Sequence, residues 1–205
     1  TASHESRLLE LLQSDLELFL ATRAPRHVVI HAAVVGWRGQ AIVLPGQSRS
    51  GKTTLTRALL RLGATYYSDE CAAFDTEGQV HPYARPLIVR GLEGSRHRLP
   101  ASRLRAPVGS DPLPVAQIVV AQYRDASSWR PERLSPAQAA LELLSCCAAS
   151  RARPAGVLRT LSVVTARANT WKGVRGEAAE VAARILSHDR MRSEAGCRWT
   201  NHGAP

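Results

Sequence analysis

The run Gly46-Gln47-Ser48-Arg49-Ser50-Gly51-Lys52-Thr53 combines the residue types needed to hold a polyphosphate. It reads Gly, four free positions, Gly-Lys, then a hydroxyl residue, which is the phosphate-binding loop pattern. The glycines let the backbone curl so that successive N–H groups face phosphate oxygens. The following helix adds its positive dipole end. Lys52 brings a compact charge to the β- and γ-phosphates, and Thr53 offers a hydroxyl to Mg²⁺. The expected nucleotide-binding set is Gly46, Gln47, Ser48, Arg49, Ser50, Gly51, Lys52, Thr53 and Thr54. Among 27 Lys and Arg residues only Lys52 and Lys172 are lysines. A chain that otherwise takes Arg for positive charge keeps an ammonium in this loop, where a point charge fits between phosphates better than a planar fork.

A second group of interest is Asp69-Glu70. Acids at the end of a strand beside such a loop can bind Mg²⁺ or take a proton.

The elements around these residues suit them. Residues 40–44 read as a short buried strand, and Leu55, Ala58, Leu59 and Leu62 fall at helical spacing. Gly63 is a helix stop. Residues 64–67 read as a strand leading into Ser68-Asp69-Glu70. Upstream, residues 28–35 form an apolar strand expected to be covered on both faces. The turn 36–39 joins it to residues 40–44 as a hairpin. Residues 72–75 and 79–81 suggest another hairpin around Thr76-Glu77-Gly78.

Elsewhere the pattern is plainer. Residues 3–21 read as an amphipathic helix. Residues 83–114 are rich in Arg, Pro and Gly, and fit either a long solvated loop or a mobile segment closing on phosphate or substrate. Residues 115–123 read as a strand and 129–134 as a short one. Helices are expected over 137–149, 154–166 and 177–186, with 171–174 extended and a tail after 188. The resulting division is an N-terminal helix (1–25), a catalytic domain (26–188) and a tail (189–205).

The chain has 205 residues, a length suited to one domain with a sizeable core. No apolar run approaches a membrane span and no signal peptide is visible, so a cytoplasmic location is expected. Cys71, Cys146, Cys147 and Cys197 form no CxxC pair, which argues against a zinc site or a disulfide framework. The net charge of +10 is compatible with nucleic acid, an acidic protein or a polyphosphate. The arginines are scattered and no nucleic-acid motif accompanies them, so nucleic acid is not an expected partner.

Over residues 31–75 the order of motifs resembles the catalytic domain of HPr kinase/phosphorylase and its smaller relatives. The matching elements are a strand bearing His31, the turn 36–39, the loop 46–53, Gly63, and the acids Asp69-Glu70. The resemblance implies an α/β fold with a mixed sheet and flanking helices, shared with phosphoenolpyruvate carboxykinases. It puts His31 on the family's active-site histidine. It gives Asp69 and Glu70 the places of paired aspartates that bind metal and take the proton from a substrate serine. Without it, His31 would read as a buried strand histidine bonded to backbone. The family's substrate-gripping segment has no recognisable counterpart in the C-terminal half, and two departures fall in the site itself. The second acid is Glu, one methylene longer, and Ile88 in Ile88-Val89-Arg90-Gly91 stands where the family has a metal-binding Glu.

The expectation is an ATP- and Mg²⁺-dependent kinase phosphorylating a Ser of a protein or peptide. Its catalytic residues would be His31, Lys52, Asp69 and Glu70, its metal ligands Thr53 and Asp69, and Arg90 would contact phosphate or substrate. A small-molecule kinase and a nucleotide-binding regulatory module with little turnover are the alternatives. The sequence leaves a homo-oligomer open.

Overall fold

The computed structural model describes residues 26–47, 50–90 and 96–196. The helix expected over residues 3–21, with the division at residue 25, lies outside the described residues, as do Ser48 and Arg49.

Two long strands, β1 (Val28–Trp37) and β2 (Gln40–Pro45), form an antiparallel hairpin. Its turn is Arg38-Gly39, with φ of 52° and 75°. Positive φ at both central residues matches the twist of a two-residue hairpin. Side chains alternate along both strands. Val28, Ile30, Ala32, Val34, Ala41 and Val43 enter one core cluster. Ala33, Val35, Ile42 and Leu44 enter the other. The sheet is therefore buried on both faces, as the unbroken apolar run predicts.

On the other edge of β1 lie β3 (Thr65–Ser68) and β4 (Cys71–Phe74), both antiparallel to it. Val34 pairs with Ser68 and His31 with Cys71. The two strands thus run on as one line, broken only at Asp69-Glu70. Strand β5 (Gln79–His81) folds back on β4 as a hairpin.

Strand β8 (Leu113–Tyr123) is parallel to β2, and β10 (Asn169–Arg175) is parallel to β8. The carboxyl ends of β2, β8 and β10 therefore share one end of the mixed eight-stranded sheet. Ligands of open α/β sheets bind at that end. Strand β9 (Glu132–Leu134) pairs antiparallel with β10. Trp129, expected within that strand, lies before it and is buried in the core.

Helix α1 (Lys52–Arg61) covers one face with α4 (Ala178–Gly196). Helices α2 (Pro136–Ser145) and α3 (Pro154–Arg167) cover the other. A capping box between Ser135 and Gln138 opens α2. The helix stops four residues short of the expected end. The Cys146 carbonyl accepts from His31 N–H at 2.8 Å, and Cys147 bridges to Ile30, which draws the chain out of the helix and onto β1. Helix α4 runs ten residues beyond the expected Leu186.

The Arg-rich stretch is not one continuous loop. It contains a second hairpin, β6 (Leu87–Arg90) and β7 (Arg96–Leu99). Leu87 is fully buried in the α1-side core, and Tyr66 donates its hydroxyl to the Arg85 carbonyl at 2.6 Å. Among the described residues no helix is long and apolar enough to cross a membrane.

Candidate functional site

At His31–Ala33 both neighbours of β1 leave their regular pairing. On one side β2 ends at Pro45, opposite Ala32, and the chain peels off into the glycine loop. Gly46 N–H still reaches the His31 carbonyl at 3.4 Å. On the other side the β3–β4 line breaks, and Ala32 N–H donates to the Glu70 carbonyl at 3.1 Å. The break turns Asp69 and Glu70 out of the ladder, and Ser68 Oγ steadies it by accepting from Cys71 N–H at 3.2 Å. His31 alternates with Ala32, so its side chain is on the Ala33 face, where α1 packs. One short segment of β1 thus gathers the loop, the histidine and both acids.

The loop ends at Gly51, with φ of 87°, which begins α1. Lys52 folds back over the loop. Its Nζ donates to the Gly46 carbonyl at 2.6 Å and the Gln47 carbonyl at 2.8 Å, and lies 3.2 Å from His31 Nε2. An ammonium only donates, so Nε2 accepts. Burial lowers the pKa of Lys52, opposed by the nearby Asp69, Cys146 and Glu70. His31 is held below its usual value by burial and by the Lys52 charge, while a hydrogen bond to the Glu70 backbone pulls the other way.

Thr53 Oγ1 donates to Asp69 Oδ2 at 2.8 Å. Asp69 is 5% exposed, and among the described residues its buried Oδ1 has no hydrogen bond of good geometry, with the Thr56 hydroxyl as its neighbour. Burial raises its pKa to about 6; the Thr53 hydroxyl opposes this, Glu70 adds to it, and Lys52 and the Thr56 hydroxyl oppose it. A buried carboxylate oxygen without a hydrogen bond of good geometry, beside a hydroxyl, is a donor set that suits Mg²⁺. That ion is usually held by one or two carboxylates plus phosphates and waters. Among the described residues no group of three or more His, Cys, Asp or Glu is placed to form an all-protein cage. Ser50 Oγ is likewise buried without a partner among the described residues.

The sequence-derived residues fall as follows. His31, Lys52, Thr53, Asp69 and Glu70 converge, with Gly46, Gln47, Ser50 and Gly51 around them. Thr54 is exposed in the first turn of α1. Arg90 closes β6, and its side chain lies outside the described atoms. Cys71, Cys146 and Cys147 form no disulfide.

The sequence did not flag Arg175. It ends β10 in register with Tyr123 of β8, and its guanidinium donates to the carbonyls of Gly51 and Gly176, both at 2.8 Å. With 25 arginines in the chain, nothing in the sequence marks this one. Only the parallel order of β2, β8 and β10 brings it under the loop.

No protein-family model matches the sequence, and no curated protein matches it. Among solved structures the chain is similar to the HPr(Ser) kinase/phosphatase from Coxiella burnetii, with 14% sequence identity and a TM-score of 0.46. The match covers 81% of this chain and 98% of that chain. This likeness concerns the arrangement of elements alone, and the roles of residues rest on their own geometry.

Proposed function

We propose that the protein is an ATP- and Mg²⁺-dependent kinase that phosphorylates a Ser hydroxyl of a protein or peptide. The observation that carries this reading is the convergence at the start of α1. Lys52 is poised over the loop carbonyls, and beside it Thr53 is bonded to a buried Asp69 whose second oxygen has no hydrogen bond of good geometry among the described residues.

In this reading the loop N–H groups and Lys52 hold the β- and γ-phosphates of ATP. Thr53 and Asp69 would hold Mg²⁺, which when bound offsets phosphate charge. The acceptor oxygen attacks the γ-phosphorus, and its proton passes to Glu70. The bond from that phosphorus to the β–γ bridging oxygen breaks, and ADP leaves. Asp69 is committed to Thr53, which leaves Glu70 as the freer base. His31 keeps the Lys52 ammonium oriented through Nε2.

A second reading is a nucleotide-binding module with little turnover. Ile88 favours it, because an apolar side chain stands where the resembled family has an acidic metal ligand. The two separate in one assay: protein, MgATP and Ser-containing acceptor peptides, with ADP release and phosphoserine followed together. ADP and phosphoserine in equal amounts support the kinase. MgATP binding with no ADP from any acceptor would leave the module reading standing.

A further inference from the structure

Arg175 is 1% exposed, and among the described residues no carboxylate lies within ion-pair distance of it. Its partners are two backbone carbonyls, Gly51 and Gly176, and the face of Tyr123, whose ring centroid is 5.3 Å from the guanidinium carbon. Its Nε is buried with no partner among the described residues. Burial lowers its pKa, with the Tyr123 hydroxyl and Glu177 opposing. A buried cation satisfied only in part is a cost to folding, and an apolar side chain of similar size is often at least as stable.

The position of this cost is informative. Gly51 O is the last carbonyl of the glycine loop, and it also accepts the first helical bond, from Leu55 N–H at 3.1 Å. The Arg175 fork therefore grips the peptide joining the loop to α1, just before Lys52. Gly51 is glycine on two counts: φ is 87°, and a Cβ there would collide with Arg175 Nη2. Tyr123 N–H adds a bond to the Ser50 carbonyl at 3.4 Å, and Arg124 N–H ties β8 to the Arg175 carbonyl at 2.9 Å. The ends of β8 and β10 thus form a bracket behind the loop, with a fixed positive charge at its centre.

We infer that Arg175 is a positioning residue for polyphosphate binding: it fixes the Gly51 peptide so that the loop N–H groups face the phosphates, and its buried charge favours an anion in front of the loop. The inference rests on the proposed nucleotide site. Its cause is electrostatic and geometric, so affinity and stability should rank differently. Stability without nucleotide should run Arg175→Met at or above wild type, with Arg175→Lys lowest, because a buried ammonium without the fork is worst solvated. Affinity for MgATP should run wild type, then Arg175→Lys, then Arg175→Met, because Lys keeps the charge. Losing a charged hydrogen bond to the loop should cost Arg175→Met about tenfold or more in Kd.

Thermal melts and calorimetry with MgATP on the three proteins test this. Opposite rankings are the expected result. Three outcomes overturn it: affinity following stability, Arg175→Met binding MgATP as tightly as wild type, or Arg175→Met failing to fold while Arg175→Lys binds normally. If wild type itself gives no binding to MgATP, the proposed function fails first. If wild type binds and Arg175→Met binds equally, only the role of Arg175 fails.

Discussion

Thr53 Oγ1 donates to Asp69 Oδ2 at 2.8 Å, which ties the first turn of α1 to the break between β3 and β4. The bond orients one oxygen of a buried carboxylate and leaves the other, Oδ1, with no hydrogen bond of good geometry among the described residues.

Asp69 should therefore be a source of instability in the nucleotide-free protein. Its pKa rises from the usual 3.8 to about 6, chiefly by burial. A raised folded value gives stability that is complete below the unfolded value and is lost as pH rises through the folded one. The loss spans the window from 3.8 to about 6 and amounts to roughly 3 kcal/mol above it. Asp69→Asn should melt several degrees higher at neutral pH, with a flatter melting profile across that window, and should lose Mg²⁺-dependent ATP binding. A mutant that melts lower and still binds MgATP fully would remove Asp69 from the metal site.

Much of this arrangement was legible in the sequence because it is local. The loop pattern, the apolar alternation of 28–35 and 40–44, and the Gly63 stop are each written within a few residues. The acids were legible as a pair, but not as a break in a continuous line along β1, because that depends on the register His31 with Cys71 and Val34 with Ser68. The hairpin of β6 and β7 was hidden by Arg and Gly, whose patterning is that of exposed chain. Its anchor, Leu87, is one apolar residue whose burial depends on a distant core. Arg175 needed the parallel order of three strands far apart in sequence.

Glu70 should fail differently from Asp69. Its carboxyl belongs to the residue that is half-buried at the break, with its backbone carbonyl held by Ala32 N–H. Glu70→Gln keeps size and backbone contacts but cannot take a proton. MgATP affinity should stay within about twofold, and phosphoryl transfer should fall by about a hundredfold or more. Transfer at the wild-type rate would mean that another group is the base.

His31 and Lys52 should titrate as neighbours. His31 is lowered by burial and by the Lys52 charge, so its contribution to stability is lost as pH falls below about 6.5. That slope is opposite in sign to the one from Asp69. In Lys52→Met the charge is gone and burial remains, so the imidazole pKa, read by NMR, should move up toward the ordinary value. No movement would mean that the 3.2 Å contact carries no electrostatic coupling.

Calorimetry with MgATP on wild type and Lys52→Ala tests the central claim most directly, because Lys52 supplies the one ammonium poised over the loop. The account predicts saturable binding at one site in wild type and a Kd weakened by about tenfold or more in Lys52→Ala. Both proteins should melt at similar temperatures without nucleotide. Absence of binding in the folded wild type, or equal affinity in Lys52→Ala, would contradict it.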